Sequence, residues 1–176
     1  MQALLECTEL KSRGHDVNLL CHPGSRLQKE AEQSGIVTLP LELRSTAYAL
    51  ALGSLRRFLI RNPVDVVHAQ LSQDLPAVVP AAVFISRPPA IVLTKRVGSF
   101  ISKKDPFHRW LYRHVSLVIA ISEVIRKNVI ATCPIESSRV VTLFDGVDLD
   151  RFKRARVDRG GVRDEIGLND DALVVG

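Results

Sequence analysis

The stretch from Arg139 to Phe152, RVVTLFDGVDLDRF, decides the fold. Its apolar run, Val140 to Phe144, ends at Asp145-Gly146, and an acidic turn follows. Asp-Gly is also typical of a β-hairpin turn, but no alternating strand comes after it here. We therefore interpret the stretch as the last strand of one domain and its exit loop, with Asp145 and Gly146 in that loop.

The composition is that of a globular protein with a moderate basic excess. Of 176 residues, 46% are apolar, and the formal net charge is +5. This length allows one domain with a sizeable core, or one domain and a piece of another. The charge is small for a dedicated nucleic-acid protein, so we expect no nucleic-acid partner. It suits phosphate-bearing ligands or an anionic membrane surface.

The three cysteines, Cys7, Cys21 and Cys133, lie far apart and without CxxC spacing. We expect reduced thiols in a cytoplasmic protein rather than a disulfide framework or a zinc site. No apolar run approaches the ~18 residues of a spanning helix. We expect no signal peptide, so any membrane contact would be peripheral, at the inner face.

Short apolar runs alternate with helix-like stretches along the first 144 residues. The apolar runs predict strands at 16–21, 36–41, 64–69, 90–94, 115–121 and 140–144. This alternation predicts an α/β fold, a Rossmann-like three-layer parallel sheet with helices on both faces. Such a sheet would also have a strand before the first helix, and we expect that this first strand is missing.

The predicted helices begin at polar capping residues. Four such residues precede helix-like stretches: Ser25, Asp74, Asp105 and Ser122. Each can accept a hydrogen bond from the first turn of its helix. In the first predicted helix, Ala3, Cys7 and Leu10 share the apolar face, which leaves Glu6 facing water.

The exit loop predicts a domain boundary. Residues 1–150 form the first predicted domain, incomplete at its start, and residues 151–167 form a basic linker rich in arginine. Residues 168–176 end in Leu-Val-Val-Gly, which predicts the first strand of a second, truncated domain.

Five segments in this order resemble one known family: LLECTELKSRGHDVNLLCHPGS (4–25), PVDVVHAQLSQDLPA (63–77), LVIAISEVIRKNV (117–129), VVTLFDGVDLDRF (140–152) and LVVG (173–176). Together they are similar to the N-terminal, acceptor-side domain of glycosyltransferases of family 4, which have the GT-B fold. Each motif alone is weak, and the order of all five carries the resemblance.

The resemblance implies two Rossmann-like domains that face a cleft. In the family the N-terminal domain mostly binds the acceptor. The C-terminal domain binds the nucleotide-sugar donor and holds a pair of glutamates. Transfer retains the anomeric configuration and needs no metal, so no cofactor is expected.

The chain departs from the family pattern in three ways. The first strand and its Gly-rich loop are absent, and so is the C-terminal domain beyond its first strand. We therefore predict no catalytic residues here and expect the chain alone to be inactive. Asp145 stands where the family has Asn, and both residues suit a turn.

Polar residues follow the predicted strands at the edge where ligands of parallel sheets gather. His68, Lys95, Arg96 and Ser99 lie there, and we predict that they bind the acceptor, chiefly through Arg96 and His68. Two adjacent cations suit a phosphate or an acidic sugar. The alternatives are a strand-end histidine bonded to neighbouring backbone and a solvated basic loop. Asp145 and Gly146 would face the cleft between the domains.

The predicted helix at 105–114 carries basic residues around Trp110. A basic helix with an aromatic residue could lie on an anionic membrane. Burial statistics instead favour Trp110 in the core and its charged neighbours in water. The acidic residues around Asp145 do not match the calcium-loop pattern, so no metal site is predicted.

We therefore predict a fragment of a retaining glycosyltransferase. The complete enzyme would move a sugar from a nucleotide sugar to a glycan or lipid-linked acceptor of the cell envelope. The alternative is a non-catalytic acceptor-binding module that works with a separate donor-domain chain. A nicotinamide-dependent dehydrogenase has less support because the sequence contains no GxGxxG.

Overall fold

Two units make up the chain, Met1–Phe144 and Asp145–Gly176. The computed structural model describes residues 2–42, 48–146, 163–165, 167, 169 and 172. The predicted linker and the predicted strand at 173–176 lie almost wholly outside the described residues. Residues 163–165, at the end of that linker, are helical. The domain boundary at residue 150 stays a prediction.

Helices and strands alternate along the described part of the first unit. The helices are α1 (Gln2–Ser12), α2 (Arg26–Gln33), α3 (Tyr48–Arg61), α4 (Leu75–Val83), α5 (Pro106–Arg113) and α6 (Glu123–Thr132). The strands are β1 (Asn18–Cys21), β2 (Val37–Pro40), β3 (Val66–Ala69), β4 (Ala90–Lys95), β5 (Val115–Ala120) and β6 (Val140–Thr142). Every predicted strand is present, although β6 is shorter than predicted and β4 continues through Lys95.

The strands pair in parallel, in two groups. β1 pairs with β2, and the other four form a sheet in the order β3-β4-β5-β6. Parallel sheets with helices on both sides confirm the predicted α/β, Rossmann-like class. The single sheet that the sequence suggested is divided, because β1 and β3 are not paired with each other within the described residues.

Apolar side chains form a large core and a small one. The large core lies around β3 to β6 and includes Leu93 and Val118, both fully buried. Helix α4 is buried through most of its length, as its continuous apolar sequence predicts. The small core lies between α2 and the β1-β2 pair. Leu20 and Leu39, from that pair, also pack against the large core, so the two sheets share apolar contacts.

Three of the four predicted caps are confirmed. Ser25, Asp105 and Ser122 each accept a hydrogen bond from the backbone N–H three residues later. The prediction for Asp74 is wrong, since its side chain makes no capping hydrogen bond. Its backbone is helical (φ −88°, ψ −17°), whereas the three confirmed caps have extended backbone.

Two predictions for helix α1 are also wrong. Leu10 is 43% exposed, and the small core is contacted instead by Leu4 and Cys7. These two residues are three apart, so they share one side of the helix. Glu6 does not face open water, because its carboxylate lies at the carboxyl ends of β3 and β4. Gly14 ends the helix with φ +87°, which fits its predicted place after the last turn.

The cysteines are free thiols, as predicted. Cys21 and Cys133 are buried, and Cys7 is partly buried. Trp110 packs partly buried against the large core and lies against the rings of Phe84 and His114, at 6.5 and 5.6 Å between centroids. The core interpretation of Trp110 is therefore confirmed.

Candidate acceptor site

The carboxyl ends of β3 and β4 lie side by side, because Ala69 is in register with Leu93. The residues after each strand therefore meet at one edge of the sheet. Helix α1 reaches the same edge, and Glu6 in its second turn points toward it. Three separate segments thus contribute polar side chains to one place.

Glu6 is the centre of a hydrogen-bonded group that we call the Glu6 cluster: Glu6, His68, Gln70, Thr94 and Arg96. Arg96 Nη2 donates to Glu6 Oε1 at 2.8 Å, and Gln70 Nε2 donates to Glu6 Oε2 at 2.7 Å. Both carboxylate oxygens are therefore engaged. Arg96 Nη2 also lies 3.5 Å from Gln70 Oε1. The cluster ties α1 to the ends of both strands.

His68 bonds to a neighbouring side chain rather than to the backbone. Its Nε2 lies 2.7 Å from Thr94 Oγ1, and its Nδ1 lies 3.7 Å from Glu6 Oε2. Burial lowers the pKa of His68 below its ordinary value of 6.5; Glu6 opposes this effect and Arg96 adds to it. The imidazole is therefore neutral at pH 7, and its contact with Glu6 is not an ion pair.

The lowered pKa of His68 makes the fold sensitive to acid. Below pH 6.5 the unfolded chain takes up a proton on this histidine before the folded chain does. Stability is therefore lost as the pH falls from 6.5 toward the folded-state pKa of His68.

A neutral imidazole can donate one hydrogen bond and accept another, which suits contact with a sugar hydroxyl.

Lys95 has different neighbours from Arg96, although the two are adjacent in sequence. Lys95 is only 7% exposed, so the solvated-loop alternative is wrong for it. Its Nζ lies 3.4 Å from Ser72 Oγ, and Lys103 Nζ lies 3.2 Å from the same oxygen. We call Lys95, Lys103 and Ser72 the lysine pair group. Burial, with a smaller effect of Lys103, lowers the pKa of Lys95 below its ordinary 10.5.

Ser99 helps to shape the loop after β4. Its backbone N–H donates to Asn128 Oδ1 at 2.7 Å, its carbonyl accepts from Asn128 Nδ2, and its hydroxyl donates to Ile101 O. Lys103 N–H donates to Thr132 O at 2.7 Å. A side chain at Gly98 would come within about 3.1 Å of Asn128, so glycine permits this close approach. These contacts hold the loop, and with it Lys103, against α6.

The structure brings together most of the predicted residues but not in one group. His68 and Arg96 share the Glu6 cluster, Lys95 belongs to the lysine pair group, and Ser99 lies in the loop between Lys95 and Lys103. Asp145 and Gly146 belong to the second unit and are exposed, and their role at a cleft stays a prediction.

Sequence reasoning missed five members of these groups: Glu6, Gln70, Ser72, Thr94 and Lys103. Gln70 and Ser72 follow a strand, so the strand-end rule marks their segment but not the individual side chains. Glu6 carries a weaker signal. It is an acid near the start of a helix, and in α/β folds that end of a helix lies near the ligand edge of the sheet.

Other surfaces offer less defined chemistry. An open groove of about 410 Å³ lies between α5 and the end of α6, and four cations line it: Lys104, Arg109, Arg113 and Arg139. In the described part of the chain, no three His, Cys, Asp or Glu side chains are grouped so that they could hold a metal ion. No helix among the described residues is long and apolar enough to cross a membrane.

The family model for Glycosyltransferase Family 4 matches residues 3–151. The chain belongs to glycosyltransferase family 4. This match confirms the predicted resemblance. The matched residues include the helices and strands that build the Glu6 cluster and the lysine pair group. No curated protein matches this family member significantly.

Solved structures share the fold of this family 4 domain at low sequence identity. A glycosyltransferase from Rickettsia africae matches with a TM-score of 0.74 at 16% identity, over 97% of this chain and 46% of its own. Anabaena HepE in complex with UDP-glucose matches with a TM-score of 0.70 at 16% identity, over 94% and 46%. UDP-N-acetylglucosamine 2-epimerase from Rickettsia bellii matches with a TM-score of 0.57 at 15% identity, over 96% and 48%. The chain thus spans less than half of each of these structures.

The charges around His68 predict pKa shifts of opposite sign in two variants. Glu6→Gln is expected to lower the pKa of His68 further, because it removes the charge that raises it. Arg96→Gln is expected to raise the pKa of His68, because it removes a positive neighbour. NMR titration of the imidazole protons measures both shifts. Glu9→Gln removes the partner of Arg13 on the same helix and serves as the control. This variant should leave the pKa of His68 unchanged. Shifts of the same sign in the first two variants would contradict the assignment.

Proposed function

We propose that this chain is the acceptor-side half of a retaining glycosyltransferase. The complete enzyme transfers a sugar from a nucleotide sugar to a hydroxyl of a glycan or lipid-linked acceptor in cell-envelope synthesis. The observation that carries the proposal is the family match over residues 3–151, the same residues that assemble the Glu6 cluster. Catalytic glutamates belong to the donor half, so the chain alone is inactive.

The Glu6 cluster supports a role in acceptor positioning. Arg96 is held in place by Glu6, and its planar guanidinium presents several donors in a fixed orientation. His68 is neutral at pH 7 and lies next to it at the strand end. A group fixed in this way orients a hydroxyl without paying the full entropy of ordering side chains on binding.

The donor is proposed to be a nucleotide sugar bound by the other half of the enzyme. The HepE structure, which shares this fold, holds UDP-glucose. Loss of a nucleoside diphosphate develops negative charge, which cationic side chains near the leaving phosphate stabilise. We propose that those cations come mainly from the donor half and that transfer needs no metal.

A separate-chain arrangement is the second candidate. This chain spans less than half of the solved structures that it matches, so an acceptor module that works with a separate donor chain has the same match. The epimerase likeness adds a further reason for a direct test, because the fold by itself does not determine the reaction.

Transfer assays on the 176-residue chain, and on an in-frame extension of it, test the proposal. The extended chain is expected to bind a nucleotide sugar and transfer its sugar, and the 176-residue chain is not. Within the active form, Arg96→Ala should raise the acceptor KM about tenfold or more with little change in donor affinity. Arg57→Ala, an exposed arginine on α3, is the matched control. A folded, extended chain that binds no nucleotide sugar would contradict the proposal that the complete protein is a glycosyltransferase.

Membrane contact is proposed at the loop after β4 and the start of α5. Phe100 is fully exposed and Ile101 is 75% exposed, and Phe107 is exposed on α5. The cations that line the 410 Å³ groove begin next to this loop, at Lys104. Exposed aromatic residues beside cations are typical of surfaces that lie on anionic bilayers, and a lipid-linked acceptor would be found there.

Co-sedimentation with lipid vesicles tests this contact. The chain is expected to bind vesicles of phosphatidylcholine with phosphatidylglycerol more strongly than phosphatidylcholine alone, and added salt should weaken the binding. Phe100→Ser should reduce binding severalfold because it removes an apolar anchor. Leu50→Ser, which changes an apolar residue on α3 that is 75% exposed, should have no effect. Binding that is the same for Phe100→Ser and the unchanged chain would refute the contact.

A further inference from the structure

The lysine pair group places two positive charges around one hydroxyl group. Lys95 Nζ and Lys103 Nζ lie 3.4 and 3.2 Å from Ser72 Oγ. Within the described residues, neither lysine has a carboxylate within ion-pair distance. This contrasts with Arg96, whose charge is balanced by Glu6 at 2.8 Å.

Burial makes this arrangement of two positive charges costly in free energy. Lys95 is only 7% exposed, and its partly buried ammonium group loses part of its hydration. Its hydrogen bond to Ser72 is long, and Lys103 adds repulsion. Uncompensated buried charges of this kind are concentrated at binding and catalytic sites, where a ligand supplies the missing charge.

The group also lies where a ligand can reach it. Lys95 ends β4, and Ser72 lies in the loop that follows β3, so both are at the carboxyl edge of the sheet. Ser72 and Lys103 are partly exposed, which opens the group to solvent. Lys103 is held in place through its backbone hydrogen bond to Thr132 and through the contacts of the loop with Asn128.

We propose that Lys95, Lys103 and Ser72 bind the phosphate of a phosphomonoester, carried by the acceptor. A phosphomonoester has a charge of about −1.5 to −2 at pH 7, which matches two ammonium groups, whereas a carboxylate has only −1. Lysine binds phosphate as a point charge, and the serine hydroxyl can donate to a phosphate oxygen. The inference rests on the proposed acceptor-side role and gives the acceptor a chemical class.

Calorimetric titration of the 176-residue chain with glucose 1-phosphate tests binding at constant ionic strength. Lys95→Met and Lys103→Met are each expected to weaken binding about tenfold or more, because each removes a charged hydrogen bond. Lys103→Arg should retain most of the affinity. Lys127→Met removes an exposed lysine on α6 that belongs to neither polar group, and this variant should bind as the unchanged protein does. Equal affinity in all variants would overturn the site.

Two further ligands separate the chemical classes. Glucuronate, which has a carboxylate in place of the phosphate, should bind at least about tenfold more weakly than glucose 1-phosphate. Equal binding of the two would overturn the phosphomonoester assignment. In the extended chain, a loss of UDP-glucose affinity in Lys103→Met would assign the phosphate to the donor and contradict the acceptor assignment.

Controls on folding keep the result interpretable. The melting temperature of Lys95→Met should stay level or rise, because the variant removes a largely buried lysine that has no carboxylate partner among the described residues. If that variant fails to fold, partly exposed Lys103→Met decides the outcome alone. If the extended chain transfers sugar but all variants bind glucose 1-phosphate equally, this inference alone is refuted. Phosphate binding in an extended chain without transfer refutes the proposed function and leaves the site standing.

Discussion

The carboxylate of Glu6 is the interaction on which the arrangement of the site depends. The β1-β2 pair and the β3–β6 sheet share no strand pairing within the described residues. Side-chain contacts therefore fix their relative position. Packing of Leu20 and Leu39 against the large core provides the apolar part of that contact. Glu6 provides the polar part, because it joins α1 to the residues after β3 and β4. The same two hydrogen bonds that connect these elements also orient Arg96.

Arg96 and Lys95 are adjacent cations at one strand end, but they have different neighbours. Arg96 lies against a carboxylate, so its charge is balanced and its geometry is fixed before any ligand arrives. Lys95 ends a buried strand and faces a hydroxyl and a second lysine. The first arrangement favours orientation of a neutral hydroxyl, and the second favours attraction of an anion. A sugar acceptor that carries a phosphate would use both.

Features that depend on a few neighbouring residues could be predicted from the sequence. Capping by Ser25, Asp105 and Ser122 is local, and so is the alternation that predicts a parallel α/β fold. The order of five short motifs pointed to the family. Contacts between distant segments could not be predicted: Glu6 meets Arg96 across 90 residues, and Lys95 meets Ser72 across 23. Whether the charge of a cation is balanced by a carboxylate depends on those contacts. The sequence therefore favoured Arg96 over Lys95 with no information about the partners of either.

A double-mutant cycle on Glu6 and Arg96 tests the central claim most directly, with urea unfolding of the chain as the measurement. If Glu6 holds Arg96 as described, Glu6→Gln and Arg96→Gln will show a favourable coupling of about 1 kcal/mol, above the ~0.3–0.5 kcal/mol expected of independent sites. Glu9 and Arg13 provide the matched control, because their charged atoms are also 2.8 Å apart but both side chains are largely exposed. That pair should couple by no more than about 0.5 kcal/mol. Additive effects of Glu6→Gln and Arg96→Gln would contradict the account.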